Sequence, residues 1–158
     1  MLVECMKLSA SSLLLGVLSS SPFSAAQEIK IERSRLPPLV EKTVAAMAKN
    51  ATVRGFSREM EHGVTYYEAK LTVAGHHKDL IMDTIGNVVE VEDEVSMDSL
   101  PPSVQDGLQA VAREAKVQSV ESITKRGKLV FYEAHILKDG RRSEVQVGPD
   151  GEPLNREK

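Results

Sequence analysis

The sequence predicts an α+β protein built from two tandem units, each a single helix packed on a three- or four-stranded antiparallel sheet. Three observations predict it. The motif Leu-Pro-Pro occurs at Leu36-Pro37-Pro38 and again at Leu100-Pro101-Pro102, each time before a stretch of helical period. The rest of each half alternates apolar and polar residues, the period of a half-buried strand. The halves also match each other when the chain is shifted by 64 residues, so that Leu36, Pro37, Pro38, Val40, Ala46, Ala48, Ala51, Val53 and Gly63 fall on identical residues from Leu100 to Gly127. A one-residue insertion then aligns Tyr67-Glu68-Ala69 with Tyr132-Glu133-Ala134, Gly75 with Gly140 and Gly86 with Gly151. Such ordered self-similarity reads as a duplication.

The elements follow in order. In the first helix Val40, Val44, Met47 and Ala51 form one apolar stripe; in the second Val104, Leu108, Val111 and Ala115 do the same. Proline fits the first helical turn, where its missing N–H has no helical partner, and it holds the preceding residue extended. Gly107 costs the second helix about 1 kcal/mol relative to alanine. The first strands, Val53 to Met60 and Val117 to Lys125, have a disturbed alternation that fits a bulge. The next strands are clean. Tyr67, Ala69, Leu71 and Val73 oppose Tyr66, Glu68, Lys70 and Thr72; Val130, Tyr132, Ala134 and Ile136 oppose Phe131, Glu133, His135 and Leu137. Asp139-Gly140 suits a two-residue hairpin turn. Val88, Val89 and Val91 mark a last strand in the first half, and the acidic run Glu90 to Glu94 reads as a charged edge strand leading into a connector.

The N-terminus has the form of a secretory signal. Lys7 precedes the apolar stretch Leu8 to Leu18, too short for a bilayer, and the small residues up to Ala26 place cleavage after Ala26. A start at Met6 makes a cleaner signal than a start at Met1, because Glu4 is unusual in the leading region. The expected organisation is signal peptide 1–26, linker 27–34, first unit 35–92, linker 93–99 and second unit 100–158. Cys5 is the only cysteine, so the mature chain has no disulfide, thiol nucleophile or thiolate metal site. Cleavage removes Glu4 and Lys7 together, and the net charge stays −3. That charge gives no electrostatic reason to bind nucleic acid. Hydrophobic residues at 41% and charged residues at 27% belong to a globular protein, and the absence of Trp makes its core aliphatic.

"LPPxV" before a helix, then "YYEAKL" or "FYEAHI", then "GPDGEPL" resembles the PepSY-like family of bacterial exported domains, also described as beta-lactamase-inhibitor-like. The resemblance covers Arg35 to Val91 and Leu100 to Asn155. Asp83-Thr84-Ile85-Gly86 departs from it, lacking the tight Asp-Gly of the second copy. The resemblance implies small α+β domains outside the cytoplasm that bind or restrain peptidases and other secreted enzymes. It carries over no catalytic residue.

Nothing in the residues themselves speaks for catalysis. The chain has no G-x-S-x-G elbow, no phosphate-binding glycine loop and no H-E-x-x-H or paired C-x-x-C. His62, His76, His77 and His135 read as surface residues, and neighbouring His76 and His77 face opposite sides of a strand. No cofactor and no metal ligand is assigned. The candidate binding residues are Tyr66, Glu68, Lys70, Phe131, Glu133, His135 and Leu137, on the outer faces of the two long strands. These faces either bind a partner or pack one unit on the other. The expected function is a periplasmic or secreted, non-enzymatic module for a protein or peptide, with a secreted peptidase as one partner class and no stable membrane insertion after cleavage. The alternative is a metal- or small-ligand-binding envelope sensor using His76, His77 or His135 with the acidic connector.

Overall fold

The computed structural model describes residues 28–154. The signal peptide, its cleavage point at Ala26, Cys5 and the choice between Met1 and Met6 lie outside the described residues. Eight strands form one antiparallel sheet in sequential order: β1 (Ile29–Ile31), β2 (Thr52–Glu61), β3 (Val64–Val73), β4 (His76–Met82), β5 (Val88–Val95), β6 (Lys116–Lys125), β7 (Lys128–Lys138) and β8 (Arg141–Val147). Two helices, α1 (Pro38–Met47) and α2 (Pro102–Ala112), join β1 to β2 and β5 to β6.

This arrangement corrects the expected pair of units with separate small sheets. The sheet is continuous because β5 pairs with β4 on one side and β6 on the other. Glu90 to Glu94 therefore belong to an interior strand, not to an edge. Val91 of that strand packs against the core under α1, and Val95 packs against the core under α2. One strand thus serves both cores, so the two halves meet edge to edge and neither stacks its outer face on the other.

Each core is built from a helix and the strands beneath it. Leu36, Val40 and Val44 bury against Phe56, Ala69, Leu71, Leu80 and Met82. Leu100, Val104, Leu108 and Ala112 bury against Val120, Ala134, Ile136 and Val147. Tyr67 and Tyr132 pack beneath the helices, as their alternation requires. The helices are shorter than their apolar stripes. Met47 is 46% exposed at the end of α1, and Ala51 and Ala115 lie beyond the helix ends. Arg113 closes α2 with φ 53°, a left-handed backbone that stops the helix.

The local signals in the strands are realised. Register shifts occur between Val53 and Gly55 and between Val117 and Ser119, where the disturbed alternation pointed to a bulge. The turn Asp139-Gly140 has φ of 51° and 74°, the twist that a two-residue hairpin needs. Among the described residues no helix is long and apolar enough to cross a membrane.

Candidate functional site

Both helices lie on one side of the sheet, where Leu71, Leu80, Val91, Val95, Val120 and Ala134 pack beneath α1 or α2. The other side carries the alternate residues of β2 to β8 and no helix. All seven candidate binding residues lie on it, but not together. Tyr66, Glu68 and Lys70 stand on β3, and Phe131, Glu133, His135 and Leu137 stand on β7. The three strands between them set the two groups about 19 Å apart at the usual strand spacing.

The β3 group is internally neutralised. Glu68 is buried, with 7% of its surface exposed, and accepts a hydrogen bond from the Ser57 hydroxyl directly across on β2. Lys70 lies 2.9 Å from Glu28 and 3.2 Å from Glu68. Burial opposes its charge, but the hydrogen bond to Glu28 and the two carboxylates outweigh burial and raise the Lys70 pKa. The hydrogen bond from Lys70 in turn lowers the pKa of Glu28. Tyr66 is half-buried beside this cluster.

The β7 group is different. Phe131 is half-buried, and Lys125 holds its ammonium 5.9 Å from the ring centroid while reaching Glu90 at 3.0 Å. Glu133 accepts a hydrogen bond from Gln146. His135 has Nε2 at 3.1 Å from Glu121 Oε2 and Nδ1 at 3.6 Å from Glu144 Oε1. Leu137 is half-buried opposite Lys116 and Arg142.

Between the two groups lie Asp79 and Glu121, which sequence reasoning missed, and the acidic run that it read as an edge strand and connector. Register places Asp79 of β4 opposite Glu92 of β5, and Glu94 opposite Glu121 of β6, which is itself opposite Glu133 of β7. Like charges directly across strands repel. The structure relieves part of this locally. Glu94 accepts the backbone N–H of His77, and Arg54 holds Asp79 at 2.7 Å. Burial, then the charges of Glu121, Glu90, Glu68 and Asp79, push the Glu92 pKa up to about 8, so it carries a proton at neutral pH. The one signal in the sequence was the alternation of Glu90, Glu92 and Glu94 with Val91 and Val95, a strand pattern obscured by Asp93.

His76 and His77 occupy successive positions of β4, with His77 beside Glu94 and His76 one step along the pleat. His62 sits in the β2–β3 turn. His77 shares a depression with His135, whereas His62 stands in the turn and His76 on the other face of β4.

Two shallow depressions mark this side. One, of about 480 Å³, is lined by His77, Glu121, His135, Arg142 and Glu144 among others. The other, of about 440 Å³, is lined by Tyr66, Ile81, Glu90, Glu92 and Lys125 among others. In the second, Tyr66, Ile81 and Val89 sit among charged side chains of both signs.

No family model matches the chain, and no curated protein matches it. Solved structures do. A DUF2874 family protein from Bacteroides ovatus is similar over 76% of this chain and 85% of its own, with TM-score 0.59 and 21% identity. A "putative periplasmic" protein from Bacteroides eggerthii is similar over 76% and 86%, with TM-score 0.62 and 18% identity. A BLIP-like protein from Bacteroides fragilis is similar over 74% and 82%, with TM-score 0.55 and 21% identity. Identity at this level carries fold and not activity. The chain therefore has the fold shared by a DUF2874 family protein and a BLIP-like protein.

Proposed function

We propose that the protein is an exported, non-catalytic PepSY-like module that binds a protein partner through the helix-free side of its sheet. The observation that carries this reading is the segregation of both helices to one side. It leaves an eight-stranded surface on which Tyr66, Phe131 and Leu137 are only half-buried among charged residues. A continuous sheet face with apolar points in a polar frame has the make-up of a protein-binding surface. The secretory form of the N-terminus supports a site of action outside the cytoplasm, and the structural neighbour called periplasmic agrees with it. The BLIP-like neighbour and the family resemblance support a secreted enzyme, such as a peptidase, as the partner class. On this reading the repeated Leu-Pro-Pro halves are a tandem pair whose fusion widened one binding surface.

Photo-crosslinking tests the reading. A crosslinking residue placed at Tyr66, Phe131 or Leu137 in the cell envelope is expected to give a discrete protein adduct. The same residue at Leu39, 52% exposed on α1, is expected to give none. Adducts from Leu39 alone, or none from any sheet position, would refute it.

A further inference from the structure

The two halves of the sheet carry the same local motif with different charges. Tyr67-Glu68-Ala69-Lys70 on β3 matches Tyr132-Glu133-Ala134-His135 on β7. In the first half the residue directly across from Glu68 is Ser57; in the second the residue across from Glu133 is Glu121. The halves thus differ at two matched positions, Ser57 against Glu121 and Lys70 against His135. Where Lys70 places an ammonium between Glu28 and Glu68, the second half places an imidazole between Glu121 and Glu144. A side chain that can only carry a proton is thus matched by one that can also ligate a metal.

The remaining groups converge. One ligand atom each of Glu121, Glu133 and His135 lies within 4.8 Å of the others. The His135 Nε2 to Glu121 Oε2 distance is 3.1 Å, and ligand atoms bound to one tetrahedral zinc stand about 3.4 Å apart. Small rotamer changes suffice to close the triangle. The other imidazole nitrogen, Nδ1, faces the Glu144 carboxylate at 3.6 Å, and metal-bound histidines hold their second nitrogen against such a carboxylate. Gln146 orients Glu133 from β8. Glu121 and His135 line the open depression that Ser119, Arg142 and Glu144 also border, so an ion has a path from solvent to these two ligands.

We propose that Glu121, Glu133 and His135 form a binding site for a divalent ion of the zinc class, with Glu144 positioning the imidazole. The ion takes the place that the Lys70 ammonium occupies in the first half. Imidazole nitrogen with two carboxylates favours zinc over calcium, which takes oxygen ligands. The proposal is independent of the protein-binding reading, since the site would exist with or without a partner.

Calorimetric titration of the purified mature protein with zinc chloride tests it, with calcium chloride run in parallel. One zinc per chain is expected, with calcium at least tenfold weaker. Glu133→Gln and His135→Lys are each expected to weaken zinc at least tenfold. His135→Lys places at this position the residue type that the first half carries beside its own carboxylates, so it should keep its circular dichroism spectrum and melt no lower than the parent without metal. His76→Ala, on the other pleat of β4, is expected to bind zinc as the parent does. Absence of zinc heat in the parent would overturn the proposal. So would zinc binding unchanged in a folded His135→Lys variant, or calcium binding as tight as zinc.

Discussion

Glu92 holds a proton that the unfolded chain would release. Glu92 stands opposite Asp79 on β4 and Ile123 on β6, and burial followed by the charges of Glu121, Glu90, Glu68 and Asp79 pushes its pKa up to about 8 against an ordinary 4.5. Between those values the folded state binds more protons than the unfolded one, so stability falls as pH rises from about 4.5 to about 8. The full span is on the order of 3–5 kcal/mol. Glu92→Gln removes the ionisation and keeps the shape. Urea unfolding of the two forms at pH 5 and pH 8.5 should show the parent losing more stability than the variant. Equal losses would mean that Glu92 is charged in the native protein. At the same scale, Ser57→Ala deletes the hydroxyl that serves buried Glu68 and is expected to cost about 1–3 kcal/mol. Chemical denaturation measures it.

The helices and turns hold each other through close backbone contacts. In the first half the Thr43 hydroxyl donates to the Gly86 carbonyl at 2.8 Å. In the second half Gly107 stands at the position matching Thr43, and the turn comes closer still. A Cβ on Gly107 would lie 2.0 Å from the Gly151 carbonyl oxygen, and one on Gly151 would lie 2.1 Å from that of Ser103. Helix propensity alone makes Gly107→Ala stabilising by about 1 kcal/mol. The contact reverses the sign: Gly107→Ala is expected to destabilise by about 1–3 kcal/mol in denaturant unfolding, as overpacked sites do. A stabilised variant would show that the turn can move off α2. This pairing also shows what the sequence conveyed at the scale of elements. Alternation gave away β3 and β7, Asp139-Gly140 a hairpin and the double prolines both helix starts. Gly107 read only as a weak helix residue, because its reason lies 44 positions further on, at Gly151.

Across the whole molecule, the single sheet was the feature least legible in the sequence. Joining the halves depends on β5, whose Glu90, Glu92 and Glu94 look like a solvated connector until Glu92 is neutral, Lys125 reaches Glu90 and His77 donates to Glu94. Those compensations come from β4 and β6, so no local window contains them. The site was legible in the same measure. Strand alternation placed Glu133 and His135 on one face. Their meeting with Glu121 depends on register, which the bulge near Gln118 resets. A shared strand also makes the molecule one cooperative unit. Leu108→Ala, in the core under α2, is expected to cost about 2–5 kcal/mol. In denaturant, nuclear magnetic resonance signals from β3 should disappear together with those from β7. Loss of β7 while β3 persists would separate the halves.

The strand order β1 to β8 repeats the chain order without a crossover. Every ladder therefore closes between neighbours in sequence, across a turn of a few residues or across a loop containing one helix. Loop closure over such short spans costs little entropy. The consequence is kinetic. The sheet can grow by adding one strand at a time to an existing edge, with no distant segment to wait for, so refolding should be fast for so strand-rich a protein.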